Sequence, residues 1–151
     1  MIEFHSEQTN QSFLLKALGY QFPNGNESDF DDNWLNFEIE FRQDDQVSKK
    51  IDPLLLTWEC IELSNWVLDF FSLPVGEKIM NLENTLCFTK REFGLDITET
   101  NIRIQIHKSL ISFPIDTEEA VLDFQITESE CLKISEAFGQ ILHSFPIVSK
   151  G

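Results

Sequence analysis

Asn33-Trp34-Leu35-Asn36-Phe37-Glu38-Ile39-Glu40-Phe41-Arg42 is the stretch that decides the fold. Leu35, Phe37, Ile39 and Phe41 alternate with Trp34, Asn36, Glu38, Glu40 and Arg42. A period of two places the first set on a buried face and the second toward solvent, so the stretch reads as a strand. Asp44-Asp45-Gln46 then forms a polar turn, and residues 47–51 return as an antiparallel neighbour. On the other side, residues 12–21 read as a strand stopped by Pro23-Asn24-Gly25-Asn26, because Pro and Gly are the strongest local breakers. Residues 2–6 form a first strand, separated from the second by the polar turn 8–11.

Beyond the hairpin the period changes. Leu56, Cys60, Leu63, Val67 and Phe70 recur at helical spacing, and Pro74 and Gly76 end the element. Asp52-Pro53 and Thr57 both qualify as its start, with Glu59 near the positive end of the helix dipole. Residues 84–89, 92–98, 101–108 and 121–126 read as strands. Thr127-Glu128-Ser129-Glu130 is a capping box, and Cys131, Ile134, Phe138, Ile141 and Phe145 lie on one stripe of a final helix. Strands in runs interrupted by two helices predict an α+β fold. The expected architecture is a largely antiparallel β-sheet with two main α-helices packed on one face. No repeat or Pro/Gly/Ser-rich linker divides the chain, so residues 1–151 are expected to form a single domain.

The 151 residues include 14 Phe and 3 Trp, a composition that supports a packed core. Lys and Arg total 11 against 26 Asp and Glu, a formal net charge of -15. That charge disfavours direct binding to nucleic acid or an anionic membrane. It favours a basic protein partner and fast, salt-sensitive association with it. Cys60, Cys87 and Cys131 are odd in number and form no C-x-x-C pair, which fits reduced thiols in a cytoplasmic protein. The N-terminal Met1-Ile2-Glu3-Phe4-His5 has neither a basic region nor an apolar run, and no segment is apolar enough to span a membrane.

Catalytic chemistry has little to stand on. His5, His107 and His143 are isolated from any local nucleophile motif, and the glycines form no phosphate-cradling loop. The loop 24–33 is rich in oxygen ligands but lacks the Gly at position 6 and Glu at position 12 of an EF-hand. No enzyme activity, cofactor or metal is therefore expected. The carboxylates of that loop instead suit pairing with Lys and Arg of a partner. Glu27, Asp29, Asp31 and Asp32, continued by Glu38, Glu40, Asp44 and Asp45 on the adjoining strand and turn, are opposed there only by Arg42. Trp34, on the polar face by alternation, is either a contact anchor of that surface or packs under a loop or against the first helix. Gly19 is expected to permit a bulge or close backbone approach before Tyr20.

Three blocks in order carry a family resemblance: Leu18-Gly19-Tyr20-Gln21-Phe22-Pro23, Asn33-Trp34-Leu35, and Asp52-Pro53 with Leu55-Leu56-Thr57-Trp58-Glu59. Together they resemble the WapI family of immunity proteins over roughly residues 12–71, with only the general layout shared beyond. Leu54 departs from the pattern, where a small residue or Cys is expected. The resemblance implies a cytoplasmic protein that binds and neutralises the C-terminal toxic domain of a cognate secreted or wall-associated toxin of the polymorphic, contact-dependent kind. Such domains are often nucleases, and an acidic inhibitor can occupy their phosphate-binding surface. It implies no catalytic residues. The competing reading is an acidic interaction or regulatory module with a different basic partner.

Overall fold

In the computed structural model, residues 1–6, 8–25, 27–93 and 99–149 are described. Four strands come first: β1 (Ile2–Ser6), β2 (Gln11–Tyr20), β3 (Trp34–Gln43) and β4 (Gln46–Leu56). Helix α1 (Thr57–Leu68) follows, then β5 (Lys78–Met80), β6 (Leu86–Phe93), β7 (Glu99–His107), β8 (Glu119–Thr127) and helix α2 (Glu128–Ser144). The fold is α+β with antiparallel pairing throughout. The strands divide into two four-stranded meanders, β1-β2-β3-β4 and β5-β6-β7-β8, where the sequence suggested one sheet. The division has a simple cause: α1 and the loop after it separate β4 from β5, and each meander then has one apolar face to cover. Two apolar faces can cover each other.

The alternation in β3 is realised in full. Leu35, Phe37, Ile39 and Phe41 are all completely buried. Ile102, Ile104 and Ile106 of β7 and Leu122, Phe124 and Ile126 of β8 supply the facing layer. Phe4 joins the two, with ring centroids 6.2 Å from Phe13, 6.0 Å from Phe88 and 5.8 Å from Phe124. The helices add their stripes to this same core through Cys60, Leu63 and Val67 from α1 and Cys131, Ile134, Phe138 and Ile141 from α2. They also lie against one another. Ser64 Oγ donates to the Ser135 carbonyl at 2.9 Å and Ser135 Oγ donates to the Ser64 carbonyl at 2.8 Å, a reciprocal pair that small side chains permit.

Several boundaries moved. Strand β4 runs on to Leu56, so Asp52-Pro53 lies in a strand and the helix starts at Thr57. The proline is tolerated because β4 is an edge strand and its register with β3 shifts beside Asn36. The residue before α1 is Leu56, which has no side-chain acceptor for capping. Glu59 compensates by accepting from the Leu56 N–H at 3.0 Å. The short strand β5 was not foreseen. Of the expected strand at 92–98, the first two residues end β6, and residues 94–98 lie outside the described ones. The capping box of α2 is present, with Thr127 Oγ1 accepting from the Glu130 N–H at 3.2 Å. Gly19 sits at a register shift in β2 with φ +151°, a backbone angle that favours glycine.

One core position is occupied by a charge. Lys90 lies on the inner side of β6, fully buried, and its Nζ donates to the carbonyls of Phe71 at 3.0 Å and Leu73 at 2.5 Å. It also lies 5.6 Å from the centre of the Phe70 ring. Removal from water lowers its pKa from the ordinary lysine value.

Candidate functional site

The three sequence blocks converge at one corner, and the residue that joins them is Asn33. Its Oδ1 accepts from Thr57 Oγ1 at 2.6 Å and from the Val148 N–H at 2.8 Å. Its Nδ2 donates to the Val148 carbonyl at 2.9 Å and to the Asp29 carbonyl. One buried amide thus ties the 27–33 loop, the first residue of α1 and the C-terminal tail together. Tyr20 holds the same tail one step upstream. Its hydroxyl donates to the Pro146 carbonyl, and its ring meets Phe145 edge-on at 5.7 Å. A Cβ on Gly19 would stand 3.9 Å from the Phe145 ring, an ordinary contact, so it is the backbone angle and not the tail that favours glycine there.

The loop itself is closed by its own polar groups. Asp32 Oδ1 accepts from the Glu27 N–H at 3.0 Å, and Ser28 Oγ accepts from the Asp31 N–H at 3.0 Å. A single turn of 3-10 helix, Asp31–Asn33, then leads into β3. These bonds leave Phe30 standing 46% exposed at the loop tip. Its ring lies against Trp58 at 5.6 Å and Trp34 at 6.3 Å.

The candidate contact residues therefore divide. Glu27 and Asp29 are exposed and Asp31 is half-buried. Asp32 is only 1% exposed because it closes the loop, and Trp34 only 8% because it lies under Phe30. Of the two readings of Trp34, packing under a loop is the one the structure takes. The register shift between Leu35 and Asn36 puts its extra residue, Leu54, in β4, so β3 keeps its alternation; Trp34 lies outside the core cluster that holds Leu35 and is buried beneath Phe30. Glu38 and Glu40 lie half-buried on the outer face of β3. That face is mixed in charge and not opposed by Arg42 alone. Lys49 Nζ pairs with Glu38 at 2.9 Å, raising the lysine pKa, and Lys16 stands opposite Glu38 in the register. Asp44 and Asp45 are exposed at the hairpin tip. The ten residues of β3 separate that tip from the loop by about 30 Å at the usual rise per residue. The nine residues thus form a line along one strand, and its two ends do not meet.

Phe30 was missed in the sequence. The available signal was an aromatic residue inside an otherwise polar loop, Ser28-Asp29-Phe30-Asp31-Asp32, where nothing local can bury it. Glu59 was seen only as a dipole partner. It is nearly buried and its second oxygen accepts from the Leu82 N–H at 2.8 Å, pinning the β5–β6 turn to the start of α1. Desolvation raises its pKa, and the two backbone bonds oppose that rise.

The histidine with the richest surroundings is His107. Its Nδ1 lies 2.9 Å from Ser109 Oγ and accepts from the Ser109 N–H at 3.1 Å, while Nε2 is 3.6 Å from Glu118. The set lies on open surface, with the Glu118 side chain 76% exposed and held by Lys108. It caps the turn Lys108–Leu110. Among the described residues, no group of three or more His, Cys, Asp and Glu is placed to hold a metal ion, and no helix is long and apolar enough to cross a membrane.

An aromatic ring exposed on a loop that hydrogen bonds tie to the tail is the kind of side chain in which protein interfaces are enriched. The model of the WapI-like immunity protein family matches residues 3–146, and the chain belongs to that family. The match extends the resemblance carried by the three blocks over nearly the whole chain. Compared with curated proteins one by one, the chain matches none. Membership points to a toxin-neutralising immunity role with a cognate toxin as partner, and such families act by binding.

Proposed function

We propose that this chain is a cytoplasmic immunity protein that binds the C-terminal domain of a secreted or wall-associated toxin of the contact-dependent, polymorphic kind, and that this domain is a nuclease. The observation that carries the reading beyond family membership is the formal net charge of -15 on 151 residues. A nuclease holds phosphate on a cationic surface. An inhibitor of opposite sign is steered to that surface and excludes the substrate from it. Among the sequence candidates, Glu27, Asp29 and Asp31 are the best placed for such pairing, with Glu38 and Glu40 extending it along β3. Asp44 and Asp45 lie too far along the strand to share the same contact centre.

The test is co-expression with the C-terminal domain of the large exported protein encoded beside it. The expected result is a stable, stoichiometric complex, protection of cells producing that domain, and loss of its nuclease activity on addition of the immunity chain. Association should slow markedly between about 50 mM and 500 mM salt, as charge steering is screened. A complex that forms without blocking nucleic-acid cleavage would overturn the nuclease assignment. Absence of both complex and protection would overturn the immunity role for that pair.

A further inference from the structure

The second meander turns one face to the core and keeps an open outer face, and its registers set what stands there. One row crosses the sheet as Lys78 on β5, Thr89 on β6, Arg103 on β7 and Asp123 on β8. The next row crosses as Met80, Cys87, Gln105 and Val121. Directly paired residues share a face, so both rows stand on the same side. The solvent side of an antiparallel sheet is ordinarily polar. The second row departs from that rule. Met80 is 45% exposed at one edge and Val121 is 37% exposed at the other, with Cys87 half-buried between them.

The two rows are self-complementary. Lys78 ends its row as a cation, exposed and without a carboxylate partner among the described residues. Asp123 ends the same row as an anion, held in place by Arg103 Nε at 2.8 Å and Nη2 at 3.1 Å. A two-fold axis parallel to the strands, passing between β6 and β7, lays β5 of one copy over β8 of another and β6 over β7. That single operation sets Lys78 against the second copy's Asp123 and Met80 against its Val121. Each contact then occurs twice.

We propose that the outer face of the second sheet is a self-association surface, and that its occupant is a second copy of this chain packed face to face about that axis. Charge selects the occupant. Two chains of net charge -15 repel one another, and this contact sets the Asp123 carboxylate of each against a cation of the other. A basic toxin surface would instead meet Lys78 and Arg103. None of the residues assigned above to toxin pairing lies on this sheet, so the dimer carries two toxin-binding loops. Four strands about 4.8 Å apart and the nine residues of β7 give a face of at most roughly 19 by 30 Å. Two such faces bury at most roughly 1,100 Å² together, the lower end for a specific interface, so the dimer is a reversible one.

The experiment is sedimentation equilibrium of the full chain at concentrations up to about 1 mM in about 150 mM salt. The mass should rise from 17.6 kDa toward twice that value, with a dissociation constant of roughly 10–500 µM, the range of a small transient contact. Met80→Glu and Val121→Lys should each weaken association at least about ten-fold, because each sets a charge against an apolar side chain of the second copy. Within one chain the two positions are about 14 Å apart and do not touch. The double variant should nevertheless return to within about three-fold of the unaltered chain, since each new charge meets its opposite across the axis. Both side chains are exposed, so thermal melts should be unchanged. If Met80→Glu melts early, Lys78→Glu takes its place and should weaken association by a similar factor. Cys87 lies inside the contact, so its alkylation by iodoacetamide should slow as the chain concentration rises. A mass that stays at 17.6 kDa up to about 1 mM would overturn the proposal. So would a dimer that the single variants leave intact, or a double variant that associates no more tightly than the singles. If Val121→Lys weakens binding of the toxin domain while the chain stays monomeric, the face belongs to the toxin and self-association is overturned.

Discussion

Replacing Asn33 by Ala tests whether one amide holds the corner together. The side chain is buried and makes four hydrogen bonds to three segments. The two bonds to Val148 contribute little net stability, because the tail regains conformational freedom when released, about 1–2 kcal/mol per backbone residue. The other two are not so forgiven. Thr57 is completely buried, and its hydroxyl would lose its acceptor at a cost of about 1–3 kcal/mol. The Asp29 carbonyl is part of an exposed loop and loses about 1 kcal/mol. The expected loss is therefore about 2–4 kcal/mol, a large share of the roughly 5–15 kcal/mol that holds a domain folded. At this size, each kcal/mol lowers the midpoint by about 2–4 °C. Urea and thermal unfolding of Asn33→Ala, Thr57→Val and the double variant measure it. The two single changes should be strongly non-additive, since each removes the same buried bond. A loss below about 1 kcal/mol, or simple additivity with Thr57→Val, would refute the role given to Asn33.

Three further outcomes follow from buried groups. The pKa of Glu59 is raised above its ordinary 4.5 by desolvation, so its protonated form is favoured in the folded state and its contribution is full below that ordinary value. That contribution is lost as pH rises through the folded pKa, so the stability gap between the unaltered chain and Glu59→Gln should narrow from about pH 4 to about pH 7 in urea titrations; a gap that widens would contradict it. Burial pushes the thiols of Cys60 and Cys131 up to about 12. Iodoacetamide at pH 8 should therefore label Cys87 first, with the other two reacting only in denaturant, as read by peptide mass spectrometry. Asp31→Lys and Asp32→Lys, neighbours in sequence, should separate cleanly. The first changes stability by no more than about 0.5 kcal/mol, whereas the second places a charge at a 1% exposed site, breaks the bond to the Glu27 N–H and costs about 1–3 kcal/mol in urea unfolding.

The residues that were legible were those whose role is periodic. Phe37, Ile39 and Phe41 were placed by alternation, Cys131, Ile134 and Phe138 by helical spacing, and Thr127 by its capping box; all require only local rules. Asp32 was misplaced, and Trp34 was left between two readings, because their environments are set by contacts that spacing does not encode. A carboxylate that folds back onto its own loop reads in sequence like any solvated one, and an outward-facing tryptophan covered by a loop reads like an exposed one. The division into two sheets was equally hidden, because strand order depends on which apolar faces meet. The three blocks were recognisable as a set, but their common purpose depended on Val148, more than a hundred residues from Asn33 in the chain.

That distance bears on how a family of inhibitors can match different partners. Tyr20, Asn33, Thr57 and Glu59 bond largely to backbone groups or to one another, so their hydrogen bonds depend little on which side chains surround them. Phe30 and Asp31 stand on the frame those residues hold. Exposed substitutions of this kind usually change stability by no more than about 0.5 kcal/mol, while a single well-placed interface side chain can change affinity by 2 kcal/mol or more. Under the proposed reading, recognition can be altered at the loop tip without disturbing the fold, provided the Asn33 bonds remain. In the proposed reading the contact residues are not the framework residues, so a change of partner need not put folding at risk.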